Sequence, residues 1–343
     1  MDILSPELVW IENRCYRVNS TLESREISQS TKQGGYIEAD LESEEELEPM
    51  DYDIQKTGET SFSSSFHVPA AFHGGIIGQK GATRKRLEKE TRCLIQVPSR
   101  GSQAPIVVTG QREEDVVVAR RKIDDVVASA RRRNDFTHFL SIRCCTDEIK
   151  KAFARFQEAV KSGSPVDGLT DDMFQIPEKL HLTITIMILM DDQERKMVKE
   201  LLHGEKDAIM AILSDFGGKA EIKIEGLDIM NDDPEATTVL HAKVHSEALQ
   251  CIADYLEAVF GRKRLSRQKT RDHVKLHMTL VNSRFATKDQ EGPKKFVPFN
   301  ATNILQELKD FSFGTIPLTE IHLSQRSAYD DTGFYKATTT LSF

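Results

Sequence analysis

The hexapeptide KLHLTI at residues 179–184 recurs as KLHMTL at residues 275–280. The two copies share lysine, leucine, histidine and threonine at matching positions, and each ends on an aliphatic residue. A chain with ten histidines is expected to contain an isolated H-x-T triplet by chance, but not two inside matching hexapeptides. The repeat therefore predicts two similar halves, each contributing one such strand.

The strand period brings the polar residues of each copy together. Residues i and i+2 of a strand face the same side, so His181 and Thr183 point one way, as do His277 and Thr279. If the halves pack about a pseudo-two-fold axis, all four side chains meet in one cleft. Two imidazoles can act as general base and general acid near neutral pH, and two hydroxyls can hydrogen-bond a phosphate. No metal or other cofactor is needed for this chemistry.

This pair of motifs resembles the two-histidine (2H) phosphoesterase superfamily. The resemblance implies metal-independent action on RNA-type substrates with a neighbouring 2′-oxygen, such as 2′,3′-cyclic phosphates and 2′,5′ linkages. It also implies that His181 and His277 exchange protons with the attacking and departing oxygens, while Thr183 and Thr279 hold the phosphate. Which histidine is the base stays open. Two half-buried structural histidines are the simpler alternative.

A third triplet, His322-Leu323-Ser324, also satisfies H-x-S, but its flanking residues do not match the repeat. We interpret it as part of a strand that borders the cleft. Ser324 and Arg326 are candidate substrate contacts. His138, in FTHFLSI, is interpreted as structural.

A glycine-rich turn, Gly78-Gln79-Lys80-Gly81, lies between two short helical patterns in a basic part of the chain. Glycine allows close backbone approach to a phosphate, and a following helix offers free N–H groups. Arg84 and Lys85 add positive charge. A lone G-x-x-G is also compatible with a simple helix connection.

The surrounding stretch, residues 68–124, resembles a eukaryotic-type KH domain. That family has a βααββα fold, and its G-x-x-G loop clamps the backbone of four single-stranded nucleotides. The resemblance implies that residues 78–81 form the clamp and that Ile76 and Ile77 support the groove. Ile95 and Val97 would line its far wall. Single-stranded RNA is the expected partner, with single-stranded DNA as an alternative.

After Asn134, strand and helix patterns alternate over about 210 residues, which predicts an α+β fold. The predicted strands are 137–143, 179–189, 220–230, 239–244, 275–281 and 320–326, and the predicted helices are 148–161, 191–216, 247–260 and 303–311. The predicted fold class is therefore α+β, with a KH type I domain followed by a bilobal, pseudo-two-fold 2H phosphoesterase-like domain.

Charge is distributed unevenly along the chain. Its formal net charge is −8, yet residues 38–55 contain acidic and no basic side chains, whereas the KH-like segment is basic. Dense like charge predicts a disordered linker. Before it, residues 8–11 and 15–18 suggest a small hairpin, which could dock a partner or pack on the later domain. The predicted domains are residues 1–57 (docking segment and linker), 58–133 (KH) and 134–343 (2H-like).

Several protein classes are excluded by composition. No apolar run is long enough for a membrane span, and the N-terminus lacks the pattern of a secretory signal. The five cysteines form no C-x-x-C and no plausible disulfide framework, which favours a reducing intracellular compartment.

Taken together and in this order, the segments resemble a family of nuclear subunits of a helicase-containing complex linked to transcription coactivation and alkylation-damage repair. The resemblance implies that the N-terminal segment binds the helicase subunit, that other complex members are partners, and that the protein is nuclear, with the cytoplasm as a second location.

Two functions stay open. In the first, the KH clamp delivers RNA to a phosphodiesterase cleft. In the second, the protein is a non-catalytic adaptor whose cleft only binds a phosphate or nucleotide.

Overall fold

The computed structural model describes residues 8–11, 14–17, 52–99, 101–102, 104–265, 272–286 and 297–343 of the chain. It divides into two compact units, Met1–Asp51 and Tyr52–Phe343. In the first unit, β1 (Leu8–Ile11) pairs antiparallel with β2 (Arg14–Arg17), which confirms the predicted hairpin. The predicted linker up to residue 51 lies outside the described residues. Its last residues belong to the second unit instead, where the Tyr52 hydroxyl donates a 2.9 Å hydrogen bond to Asp124.

The second unit begins with a helix-and-strand domain that has one four-stranded sheet. Its elements are β3 (Gln55–Gly58), β4 (Ser61–Phe66), α1 (Ala70–Ile77), α2 (Ala82–Thr91), β5 (Leu94–Gln96), β6 (Ile106–Gly110) and α3 (Glu113–Arg131). The strand order is β3-β4-β6-β5, with antiparallel neighbours. From β4 onward this is the predicted βααββα order, and β3 adds one edge strand.

The long helix α3 covers this sheet. Its apolar residues recur every three or four positions, so they form one stripe, and Val116, Ala119 and Ile123 of that stripe are fully buried. They join the core of this domain together with Ile95. Three acidic residues in the first turn of α3 complement the positive end of the helix dipole.

The rest of the second unit is built around an eight-stranded sheet. Its elements are β7 (His138–Arg143), α4 (Asp147–Ser162), β8 (His181–Met187), α5 (Asp192–Gly204), α6 (Lys206–Asp215), β9 (Glu221–Ile229), β10 (Val239–His245), α7 (Glu247–Gly261), β11 (His277–Asn282), α8 (Thr302–Glu307), β12 (Ser312–Pro317), β13 (Glu320–Tyr329) and β14 (Tyr335–Ser342). None of the described helices is long and apolar enough to cross a membrane.

The strand order of this sheet, β12-β9-β10-β11-β8-β7-β13-β14, has the predicted two-fold character. The repeated strands β11 and β8 lie side by side at its centre, and three strands extend outward from each. All neighbours are antiparallel. Leu182 and Met278, the central residues of the two motifs, are fully buried in the core. The H-x-T side chains therefore lie on the opposite face.

Buried polar contacts join the two domains of this unit. The Arg131 guanidinium, at the end of α3, donates hydrogen bonds of 2.5 and 3.1 Å to the two carboxylate oxygens of Glu194 in α5, and a further one to the Ile188 carbonyl. Only 4% and 5% of the two charged side chains are exposed. Nearby, His67 Nε2 lies 2.8 Å from an Asp191 carboxylate oxygen. These contacts fix the KH-like domain against the larger sheet.

Candidate active site and nucleic-acid interface

The two H-x-T motifs form a compact rectangle at the centre of the large sheet. Leu182 and Met278 are Cα partners in the antiparallel ladder. Moving one residue along each strand, in opposite directions, places His181 opposite Thr279 and Thr183 opposite His277. Residues opposite each other in such a ladder have Cβ atoms about 4.5–5.5 Å apart. The structure therefore brings all four predicted residues together on one face.

Both imidazoles are held in the same tautomer by the backbone of their own motif. His181 Nδ1 lies 2.7 Å from the Lys179 carbonyl oxygen, and His277 Nδ1 lies 2.8 Å from the Lys275 carbonyl oxygen. A carbonyl oxygen only accepts hydrogen bonds, so Nδ1 is the donor in each case. Proton exchange with a ligand is thereby assigned to Nε2 of both rings.

The environment of His181 is aromatic. Its ring centroid lies 5.1 Å from that of Phe139 and 5.2 Å from that of Tyr335. Burial lowers the pKa of His181 to about 4, and the neighbouring His277 acts in the same direction. His181 is therefore neutral at neutral pH, as a proton acceptor must be.

Tyr335, whose ring contacts His181, also lines an open cleft of about 450 Å³. None of the four H-x-T residues is among the residues that line this cleft. Lys179 also lines it, and its ammonium nitrogen lies 3.7 Å from the ring centroid of Tyr329. Tyr329 is 48% exposed and Ile176 is 43% exposed. Exposed aromatic and apolar surface beside a cation suits the flat, polar ring of a nucleobase.

The two further candidate contacts lie in different surroundings. Ser324 is fully buried in β13, and its hydroxyl is 2.9 Å from the Ser141 hydroxyl. It thus joins two strands and, contrary to expectation, presents no exposed atom to a substrate. Arg326 is partly exposed, pairs with Asp135 at 3.2 Å and donates to the Phe136 carbonyl. A substrate contact by Arg326 stays a prediction.

The remaining histidines of interest are buried. His322 is mostly buried, and its Nε2 lies 2.7 Å from a Glu320 carboxylate oxygen. His138 is buried with Nδ1 2.9 Å from the Thr137 hydroxyl. Both placements agree with structural roles. Among the described residues, no cluster of His, Cys, Asp or Glu side chains could hold a metal ion.

The predicted nucleic-acid clamp is a left-handed turn between α1 and α2. Gly78, Lys80 and Gly81 have φ values of 70°, 51° and 79°, a region that favours glycine. A Cβ atom on Gly78 would lie 2.2 Å from the Thr83 hydroxyl oxygen, so only glycine fits. Gln79 and Lys80 are exposed at the tip.

The residues around this turn divide between surface and core. Lys85 is exposed, and Arg84 is partly exposed, with its Nε 3.9 Å from a Glu88 carboxylate oxygen. Ile77 is half-buried, but Ile76 is fully buried in the core of the domain. Ile76 therefore supports the fold from within and is not part of an open groove, because α1 turns that side chain toward α3. Ile95 is likewise a core residue, whereas Val97 is half-buried.

Comparison with known proteins agrees with this division. Residues 63–125 match the family model of the KH domain, and residues 136–343 match that of the AKAP7 2′5′ RNA ligase-like domain. The chain is also 33% identical to "Activating signal cointegrator 1 complex subunit 1" of Mus musculus, over 98% of each chain. The protein belongs to the family of activating signal cointegrator 1 complex subunit 1.

This family membership assigns a KH domain and a 2H phosphoesterase-like domain to the chain.

Two solved structures are similar to parts of it. The first KH type I domain of human vigilin is 27% identical and covers 24% of this chain and 88% of its own, with a TM-score of 0.21. The protein TT0787 of Thermus thermophilus is 17% identical and covers 60% of this chain and 97% of its own, with a TM-score of 0.35.

The sequence did not indicate all of the residues around the candidate site. Phe139 lies in a strand that the sequence predicts, but its contact with His181 depends on the register between β7 and β8. Tyr335 begins β14, a strand that the sequence does not predict. His241, buried beside His277, has no motif of its own. Only the pairing of strands brings these residues to the site.

Proposed function

We propose that the protein binds single-stranded RNA through its KH domain and hydrolyses phosphodiester bonds at RNA ends or linkages at the H-x-T rectangle, without a metal. The observation that carries this proposal is the rectangle of His181, Thr183, His277 and Thr279. It combines two proton-exchanging nitrogens with two hydroxyl donors on one open face. A structural pair of histidines would not require threonine partners in the same relative positions.

The chemistry follows from the two rings. With a 2′,3′-cyclic phosphate at the rectangle, the neutral His181 takes a proton from water through Nε2 as the water oxygen bonds to phosphorus. Protonated His277 gives its Nε2 proton to the departing ribose oxygen as that P–O bond breaks. The Thr183 and Thr279 hydroxyls donate hydrogen bonds to the non-bridging oxygens, where charge accumulates in the transition state. His181 then releases its proton to solvent, and His277 takes up a proton from solvent, so that both rings return to their starting states.

The KH domain supplies binding rather than chemistry. Its glycine turn leads into the N-terminus of α2, where the positive end of the helix dipole favours a phosphate, and Lys80 and Lys85 add positive charge at the surface. Because Arg131 and Glu194 fix this domain against the 2H-like domain, both sites keep one relative orientation. Single-stranded DNA is the alternative ligand of the turn.

The biological setting that we propose is that of the murine relative, whose name describes a complex subunit. In this proposal the protein is an RNA-binding subunit of a nuclear helicase complex that acts in transcription coactivation and alkylation-damage repair. The N-terminal segment, residues 1–57, binds the helicase subunit. Co-purification of tagged full-length and 52–343 proteins from nuclei tests this role, because the shorter protein keeps the whole of the second unit, and equal recovery of complex partners would contradict it.

Turnover of short RNAs tests the enzymatic proposal. RNAs that end in a 2′,3′-cyclic phosphate or contain a 2′,5′ linkage are incubated with the full chain in EDTA. We expect cleavage by the wild type and a loss of about 10²–10⁴-fold in His181→Ala and His277→Ala. His245→Ala, at the exposed end of β10, is the matched control and should keep full activity. If the wild type binds RNA but leaves every substrate intact, the protein is a non-catalytic adaptor whose cleft only binds a phosphate or nucleotide.

A further inference from the structure

A third histidine, His241, lies beside the H-x-T rectangle. In the ladder between β10 and β11 its Cα partner is Thr279, and in the ladder between β10 and β9 it is Asp228. Partners in a ladder point to the same face of a sheet. The His241 ring accordingly lies against that of His277, with centroids 5.1 Å apart and planes inclined by 55°.

One nitrogen of His241 is buried without a hydrogen bond. The side chain is only 1% exposed, and Nδ1 lies 3.4 Å from the Ala242 carbonyl oxygen, to which it can only donate. Nε2 therefore carries the lone pair. This atom is buried and has no hydrogen-bond partner in the part of the chain that the structure describes. Such an arrangement is unfavourable in a protein interior, so the atom calls for a functional explanation.

Several charged or titratable groups face this pair of rings. Lys275 precedes His277, and its ammonium lies 3.9 Å from an Asp228 carboxylate oxygen. Lys243 is the ladder partner of His277 and is exposed, while His181 faces His277 from β8. Burial lowers the pKa of His241 to about 4; His277 and Lys275 act in the same direction, and Asp228 opposes them. His241 is thus a neutral neighbour with an accepting nitrogen.

The neighbours of the two motif histidines differ in chemistry. His181 contacts the carbon rings of Phe139 and Tyr335, which offer a proton on the imidazole little stabilisation. His277 instead lies beside the polar imidazole ring of His241, with ring centroids 5.1 Å apart. We propose that His241 is a positioning residue that stabilises the protonated form of His277 and thereby makes His277 the proton donor of the pair.

The consequence for catalysis rests on the proposed phosphodiesterase function, but the effect on His277 can be measured without it. The titration of His277 is followed by NMR in full-length protein carrying labelled histidine. In His241→Phe, which keeps an aromatic ring and removes the acceptor, the His277 midpoint should fall by about 0.5–1 pH unit. His241→Gln restores an accepting oxygen and should return the midpoint toward that of the wild type.

His138→Phe is the matched control, because His138 is also buried with an unpartnered Nε2 among the described residues but lies on β7. It should leave the His277 midpoint unchanged. If the wild type turns over substrate, kcat should fall at high pH, because the donor His277 must stay protonated. In His241→Phe the pH midpoint of that fall should be lower by the same amount as the NMR midpoint, and KM should be unchanged. A merely structural role would lower stability without moving either profile.

The proposal is overturned if the His277 midpoint in folded His241→Phe stays within about 0.2 unit of the wild type, or if His138→Phe moves it equally. Circular dichroism establishes folding. If His241→Phe does not fold, His241→Ala with and without added imidazole replaces it, and a midpoint that neither falls nor recovers contradicts the proposal. An inactive wild type would refute the phosphodiesterase function alone and leave the titration decisive for His241.

Discussion

Replacing Arg131 by methionine should destabilise the folded unit strongly, because it leaves the Glu194 carboxylate buried without its cation. Glu194 is 95% buried, and the Met190 N–H, at 2.8 Å, would be its main remaining partner. Removing one partner of a buried ion pair costs about 3–5 kcal/mol. The stacking of Arg131 on the Phe72 ring, at 4.7 Å, is lost as well. For a unit of this size the expected fall in Tm is on the order of 10 °C.

Thermal and urea unfolding of purified variants measure this effect. Combining Arg131→Met with Glu194→Met removes both charges and should recover most of the lost stability, since apolar replacements of buried pairs are often neutral. Arg195→Met is the matched control. Arg195 lies next to Glu194 in α5 and pairs with the almost fully exposed Asp192, so its replacement should cost less than about 1 kcal/mol. If Arg131→Met lowers the free energy of unfolding by less than about 1 kcal/mol, or if the double variant recovers none of the lost stability, the buried ion pair does not stabilise the contact between the two domains.

Two further predictions concern the clamp and the buried histidines. Gly78→Ala should weaken RNA binding at least tenfold, because its Cβ would collide with Thr83. The control Gly74→Ala, whose Cβ meets nothing within 4 Å, should bind RNA like the wild type. Affinities are measured by fluorescence-anisotropy titration, and equal affinities of the two variants would contradict the prediction. Burial lowers the pKa values of His138 and His241 to about 4, so the unfolded state takes up protons first as pH falls below about 6.5. The free energy of unfolding should therefore decrease between pH 7 and 5 by about 2 kcal/mol per histidine, and His138→Phe should abolish the part of this decrease that His138 causes. Urea unfolding at both pH values measures the decrease, and an equal free energy of unfolding at the two pH values would contradict the prediction.

The sequence was sufficient for the parts of the fold that carry strong periodicity or repetition. The duplicated K-L-H-x-T strands predicted the four residues of the rectangle. The resemblance of residues 68–124 to a KH domain predicted the βααββα order that β4 to α3 adopt. Besides the edge strand β3 of the KH domain, two strands of the large sheet were missed for physical reasons. β12 contains Gly314 and ends on Pro317, and β14 is rich in threonine without a clear alternation of apolar and polar residues. Neither pattern indicates a strand on its own.

Other differences arise because tertiary contacts decide them. The helix predicted over residues 191–216 is two helices separated at Glu205, whose carboxylate accepts a hydrogen bond from the Tyr255 hydroxyl. The burial of Ile76 and Ser324 depends on which face each element turns inward. The rings that flank the motif histidines depend on strand register. A single sequence specifies the motif residues, but not the neighbours that set their protonation.

The most direct test of the central claim is whether His181 and His277 act together in one reaction. The rate of opening of an RNA 2′,3′-cyclic phosphate is measured in EDTA for the two single alanine variants and for the double variant. An acid and a base that serve the same step give non-additive losses, so the double variant should be about as slow as either single variant. Losses that multiply in the double variant, or a single variant that retains wild-type activity, would contradict a shared two-histidine site.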